Sequence, residues 1–221
     1  MKALMAVTGL LLIGFLLMHM FGNFKMLIPD DGKEFNEYSH WLREFGYPAL
    51  PHKLFLWIFR IVLLSAAVLH IWSAAKLRLR ANANAGGKRY RSQKFMEKSY
   101  AARTMIWGGI LILLFVIIHI LQYTAEVLRF GYDNPDRSLA PFDRVLAGFS
   151  EWWVVLFYAI AMVAVCMHVL HGFWSAFATL GANASAGARK VLKTLAWIAA
   201  ALLYVGFMIP PVLILFGVIG R

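Results

Sequence analysis

Five apolar stretches constrain this chain more than any other feature, because each is long enough to cross a bilayer, which takes about 20 residues of helix. They cover approximately 3–24, 54–79, 103–128, 152–178 and 192–217. In hydrocarbon every backbone N–H and C=O must be satisfied within its own segment, so stretches of this kind fold as helices. The expected fold is all-α: one transmembrane bundle of five helices occupying residues 1–221. A hydrophobic content of 61% and a mean hydropathy of +0.67 exclude an ordinary soluble domain. Lys2 precedes the first run as in a signal peptide, but "MHMFGNF" offers no small-x-small cleavage site, and the run reads as an uncleaved span.

Charge then orients the bundle. With five spans, the N-terminus shares one side with the second–third and fourth–fifth loops. That side carries Lys2, nine basic residues between positions 76 and 103, and Arg189, Lys190 and Lys193, against the single acid Glu97. The other ten acids fall on the opposite side. The positive-inside rule therefore expects the N-terminus in the cytoplasm and the C-terminus outside. The net charge of +11 is accounted for without nucleic acid. Between the spans, 25–53 contains "GKEFNEYSHWLREFG", a short surface helix ending at Gly46. The loop at 80–102 centres on the basic, turn-rich "NANAGGKRYRSQK", and 129–151 carries the turn cluster "GYDNPDRSLAP".

Cys166 is the only cysteine, which excludes an internal disulfide and any thiolate-built zinc or iron–sulfur centre within this chain. Histidine is left as the main candidate ligand. His40 and His52 lie in the loop after the first span and read as surface residues. His19, His70, His119, His168 and His171 lie inside spans, at least one on each of the first four and none on the fifth. A lone intramembrane histidine is usually an interhelical hydrogen bonder, but four on four helices call for more. His19, His70, His119 and His168 each lie roughly 24 Å of helix from their own entry side. Spans one and three run opposite to two and four, so His19 and His119 pair near the outer face and His70 and His168 near the inner face. Facing imidazoles make an axial pair for haem iron. Zinc would want further ligands, and a proton relay would want interior acids, of which only Glu126 stands near a helix end.

Three side chains have two readings each. His171 is either an additional bonding partner near the inner site, exchangeable in role with His168, or a plain interhelical hydrogen bonder. Arg60, the one charge well inside a span, either pairs with a propionate near the outer level or snorkels to the headgroups. Gln122, one turn beyond His119, offers an amide to a quinone oxygen or simply bridges two helices.

With these residues in view, the chain resembles the cytochrome b membrane anchors of succinate:quinone oxidoreductases and fumarate reductases, in their single-chain, five-helix, di-haem form. "HVLHGFWSAFATLG" is similar to the family's fourth-helix pattern of a ligand His, a Gly four residues on, an aromatic, Ser and a final Gly; "HMFGN" resembles its first-helix region. The resemblance implies a bacterial cytoplasmic membrane as the location and two b haems, with His70 and His168 holding the proximal one and His19 and His119 the distal one. It also implies a flavoprotein subunit and an iron–sulfur subunit as partners, and quinone, typically menaquinone, as the substrate reached through membrane lipid. The basic loop carrying Lys88, Arg89 and Arg91 would contact the iron–sulfur subunit. Trp152, Trp153, Gln122 and Glu44 are the residues expected around an outer quinone site. Some fumarate reductases carry a glutamate two residues before the fourth-helix ligand; Cys166 stands there instead. The rival readings are the cytochrome b subunit of a nitrate reductase or hydrogenase, and a haem-free transporter. Nitrate reductase anchors concentrate their ligands on helices two and five, unlike this chain.

Overall fold

The computed structural model describes residues 1–84, 100–131 and 139–220. Their order is α1 (Lys2–Phe24), a 3-10 turn (Lys25–Leu27), α2 (Lys33–Glu44), α3 (Leu54–Asn84), α4 (Tyr100–Tyr123), α5 (Pro141–Ser150), α6 (Trp152–Thr179) and α7 (Ala186–Leu215). The described residues contain no strand. Of these helices α1, α3, α4, α6 and α7 are long and apolar enough to cross a membrane, so the chain is a multi-pass membrane protein by length and composition. The basic loop with Lys88, Arg89 and Arg91, and most of the "GYDNPDRSLAP" cluster, lie outside the described residues.

The core forms around α6, which packs against α7, α4 and α1, while α7 also rests on α1. Val154, Tyr158, Met162, Val165 and Val169 recur at three- and four-residue intervals, so they line one face of α6 and are all buried. Opposite them stand Ala200 and Leu203 of α7 with Ile13 and Met20 of α1. By contrast α3 packs chiefly on α1, and α4 chiefly on α6. Ala66 and Ser73 are the buried side chains of α3, and Gln122 that of α4, among the described residues. These two helices leave most of their apolar surface uncovered by protein.

At one end of the bundle α2 and α5 form a cap. Phe35 of α2 meets Phe142 of α5 edge to face at 6.4 Å, with Met26 completing a small separate core. Asn36 Oδ1 accepts from the Phe142 backbone N–H at 3.0 Å. The Arg144 guanidinium forms an ion pair with Glu126, tying α5 to the segment that follows α4. The helix α2 lies where the sequence predicts a surface helix, but α5 replaces what reads as a turn-rich connection. Pro141 at its first turn supplies the start, since a helix N-terminus has no use for the missing N–H.

Helix ends depart from the apolar runs: α3 continues past position 79 to Asn84, and two other departures have local causes. The helix α4 stops at Tyr123, short of position 128, because the Thr124 and Ala125 N–H groups both donate to Ile120 O and Glu126 adopts a left-handed φ of 58°. The helix α7 starts at Ala186, ahead of position 192, because the Ser185 hydroxyl caps it by accepting from the Ala188 N–H at 3.0 Å.

Gly32, which opens α2, is required twice over. Its φ is +78°, and a Cβ there would lie 2.1 Å from the Phe142 ring. Gly32→Ala should cost about 2 kcal/mol from the left-handed backbone and the displaced ring together, seen as a lower melting temperature in detergent. An unchanged melt would mean that the cap does not dock as described.

Candidate functional site

The first four long helices close into two adjoining pairs, α1 with α3 and α4 with α6, joined along an α1–α6 seam. Neither α1 and α4 nor α3 and α6 are among the closely packed helix pairs of the described residues. Across each of these diagonals two imidazoles nevertheless meet. The rings of His19 (α1) and His119 (α4) have centroids 5.8 Å apart, at 83° to one another. Those of His70 (α3) and His168 (α6) are 6.2 Å apart at 63°. Two metal–nitrogen bonds of about 2 Å, plus about 1 Å from each nitrogen to its ring centre, give roughly 6 Å for rings sharing one ion. Both pairs have that spacing.

The pairs occupy two levels. Thr8 of α1 marks the level of His70, and from Thr8 to His19 the helix rises about 16 Å. His19 and His119 lie toward the α2–α5 end, and His70 and His168 toward the first turns of α1.

Each pair has one ring held by its second nitrogen. His70 Nδ1 lies 3.1 Å from the Met5 carbonyl, which only accepts, so Nδ1 carries the proton and Nε2 is left bare. The Thr8 hydroxyl, whose own proton goes to Leu4 O at 2.7 Å, stands 3.4 Å from the same nitrogen. His119 Nδ1 lies 3.2 Å from the Tyr158 hydroxyl, which donates to Gln122 Oε1 at 2.8 Å. With the tyrosine proton committed to Gln122, the hydroxyl oxygen accepts from His119, and its Nε2 is bare as well.

The helix walls stand close to the rings at the His70–His168 level. A Cβ on Gly9 would come within 3.1 Å of His70, and one on Gly109 within 3.7 Å of His168, so both walls lie close because they lack side chains. Further along the same end, Ser73 Oγ and Trp174 Nε1 are buried without a hydrogen-bond partner among the described residues, while His168 faces the Met105 backbone. Unsatisfied buried donors of this kind are costly unless something bonds them. No group of three or more His, Cys, Asp or Glu side chains among the described residues is placed to hold a metal.

Of the remaining sequence candidates, His171 sits one turn past His168, half-buried, and it is His168 whose ring meets His70. Arg60 is exposed, with its guanidinium 5.1 Å from the Trp57 ring. Its neighbour Phe59 touches Phe15, which stacks on His19, so Arg60 lies near the level of that pair. Arg60 also belongs to a cationic group at the α2–α5 end. Burial, followed by the positive charges of Arg144 and Arg60, lowers the Arg43 guanidinium from its ordinary value, while Glu126 acts the other way. Arg43, Arg144 and Glu126 line a hollow of about 390 Å³ there, together with Asn36 and His40.

The four residues expected around a quinone are spread apart. Gln122 is only 1% exposed and bonded to Tyr158. Glu44 is paired with His52 at 2.6 Å. Trp152 is 66% exposed at the start of α6, and Trp153 meets Phe130 edge to face at 4.9 Å. Sequence reasoning did not pick out Tyr158, Thr8, Gly9 or Gly109. A tyrosine hydroxyl and glycines within apolar spans were the available signals, though each has ordinary packing uses.

No protein-family model, no curated protein and no solved structure matches this chain.

Proposed function

We propose that this chain is the di-haem cytochrome b membrane anchor of a succinate:quinone oxidoreductase or fumarate reductase, exchanging electrons between an iron–sulfur subunit and membrane quinone. The observation that carries this reading is the pair of diagonal histidine contacts, each at a spacing suited to one iron between two rings. His19 and His119 would hold one haem and His70 and His168 the other. Bound there, the haems supply one-electron chemistry at two depths of the membrane.

The chain's own work is to keep four imidazoles ready in a dry interior. Hydrogen bonds from Nδ1 to Met5 O and to Tyr158 leave Nε2 of His70 and His119 free to ligate and fix the ring orientation. The α6 core sets the depth of His168 against α1 and α7. Arg60, Arg43 and Arg144 put positive charge at the α2–α5 end, where an acidic haem edge or a lipid phosphate would be welcome. A flavoprotein and an iron–sulfur protein would dock on the basic face expected in the cytoplasm, and menaquinone is the substrate proposed.

Purified protein tests this reading. It should be red, with two b haems per chain and bis-histidine low-spin iron, and the membrane complex should contain a flavoprotein and a cysteine-rich iron–sulfur protein. Colourless protein that takes up no haem would overturn the cytochrome assignment. Red protein bringing down a molybdenum or nickel subunit would keep the haems and replace the partners.

A further inference from the structure

The two pairs rest on different acceptors. His70 bonds a backbone carbonyl, which no side-chain substitution removes. His119 bonds a tyrosine hydroxyl that is itself tied to a glutamine. That relay is enclosed: Gln122 is 1% and Tyr158 6% exposed, and Phe115 and Phe149 pack edge to face on Tyr158 at 5.1 and 4.9 Å. Gly148 closes it from α5, where a Cβ would come within 3.0 Å of Gln122 Nε2. Side chains of α4 and α6 are thus linked by polar contacts inside a segment otherwise built of hydrocarbon.

We infer that Tyr158 and Gln122 are positioning residues that hold His119 in its Nδ1–H tautomer and set the reduction potential at that level independently of the other. This rests on the di-haem reading. With iron held by His119 Nε2, the imidazole would give up more electron density in the oxidised state than in the reduced one, so its Nδ1–H bond to Tyr158 would be stronger when oxidised. The relay therefore stabilises the oxidised form. Gln122 matters because it takes the tyrosine proton. Without it the hydroxyl is free to turn its proton toward His119, which would favour the tautomer that cannot ligate through Nε2.

The test is a redox titration of the intact complex in membranes, with the low-spin electron paramagnetic resonance signal of each haem followed separately. The signal belonging to this level is the one lost in His119→Ala. Tyr158→Phe should retain both haems and move the oxidised-to-reduced ratio of that one haem toward reduced at a fixed ambient potential, by at most about fivefold, the full worth of one buried hydrogen bond. Gln122→Leu should move it the same way by less, and it carries the test alone if Tyr158→Phe fails to assemble. The His70–His168 haem should keep its potential and signal in both variants. Unchanged potentials, or equal shifts at both levels, would overturn the inference, equal shifts meaning general loosening of the bundle. Wild-type protein without haem would instead overturn the di-haem reading before any variant is made.

Discussion

Replacement of His119 by alanine should, on the di-haem reading proposed above, remove one haem and leave the other, halving the haem-to-protein ratio, and His70→Ala should do the same at the opposite level. The expectation follows from the two diagonals, since His119 faces His19 and His70 faces His168 about 16 Å of helix away. Loss of one axial ligand from a two-ligand site should weaken retention of that haem by more than about a hundredfold, beyond the range seen when a ligand's supporting partner is removed. The spectra should separate the two, because the surviving bis-histidine signal differs between the variants. His171→Ala should leave both haems in place, as His168 is the ring that meets His70. Retention of both haems in His119→Ala or His70→Ala would break the pairing. Loss of a haem in His171→Ala would move the ligand facing His70 one turn along α6.

How far the sequence foretold this arrangement depends on the distance over which each signal acts. Apolar runs report helices directly, so the five long elements were legible. Depth along a helix is a matter of counting, so the sorting of His19 with His119 and of His70 with His168 was legible too. Helix ends were less so: the stop of α4 lies in backbone bonds around Ile120 and the left-handed Glu126, and the start of α7 in the Ser185 cap. The helix α5 was hidden because its ten residues follow a turn cluster and its apolar face is completed only by Phe35 of α2. Tyr158 illustrates the harder case. It stands ten residues before His168 on the same helix yet serves His119 on another, and no spacing within one segment encodes that contact. Gln122 was noticed for its amide, but only the packing of α4 on α6 shows that amide enclosed.

Quinone turnover should depend on the pair nearer the α2–α5 end. Two hollows open there, one lined by Lys25, Glu34, Glu37, Tyr38 and Trp41 and the other by the Arg43–Arg144–Glu126 group. Only the first offers aromatic faces, Tyr38 and Trp41, of the kind a quinone ring could lie against. Exposed Trp152 and Trp153 mark the same end as a membrane interface. His19→Ala should therefore cut quinone reduction by succinate at least about tenfold, while succinate oxidation with a water-soluble acceptor is unaffected. The contrast matters because general misassembly would lower both rates together. Gln122→Leu should reduce quinone turnover less, acting through Tyr158 and His119, because its side chain is enclosed. Full quinone turnover in His19→Ala protein shown to lack that haem would place the quinone beside His70 and His168. The Ser73 hydroxyl and Trp174 indole, which lack a hydrogen-bond partner among the described residues, would then be the donors to substitute next.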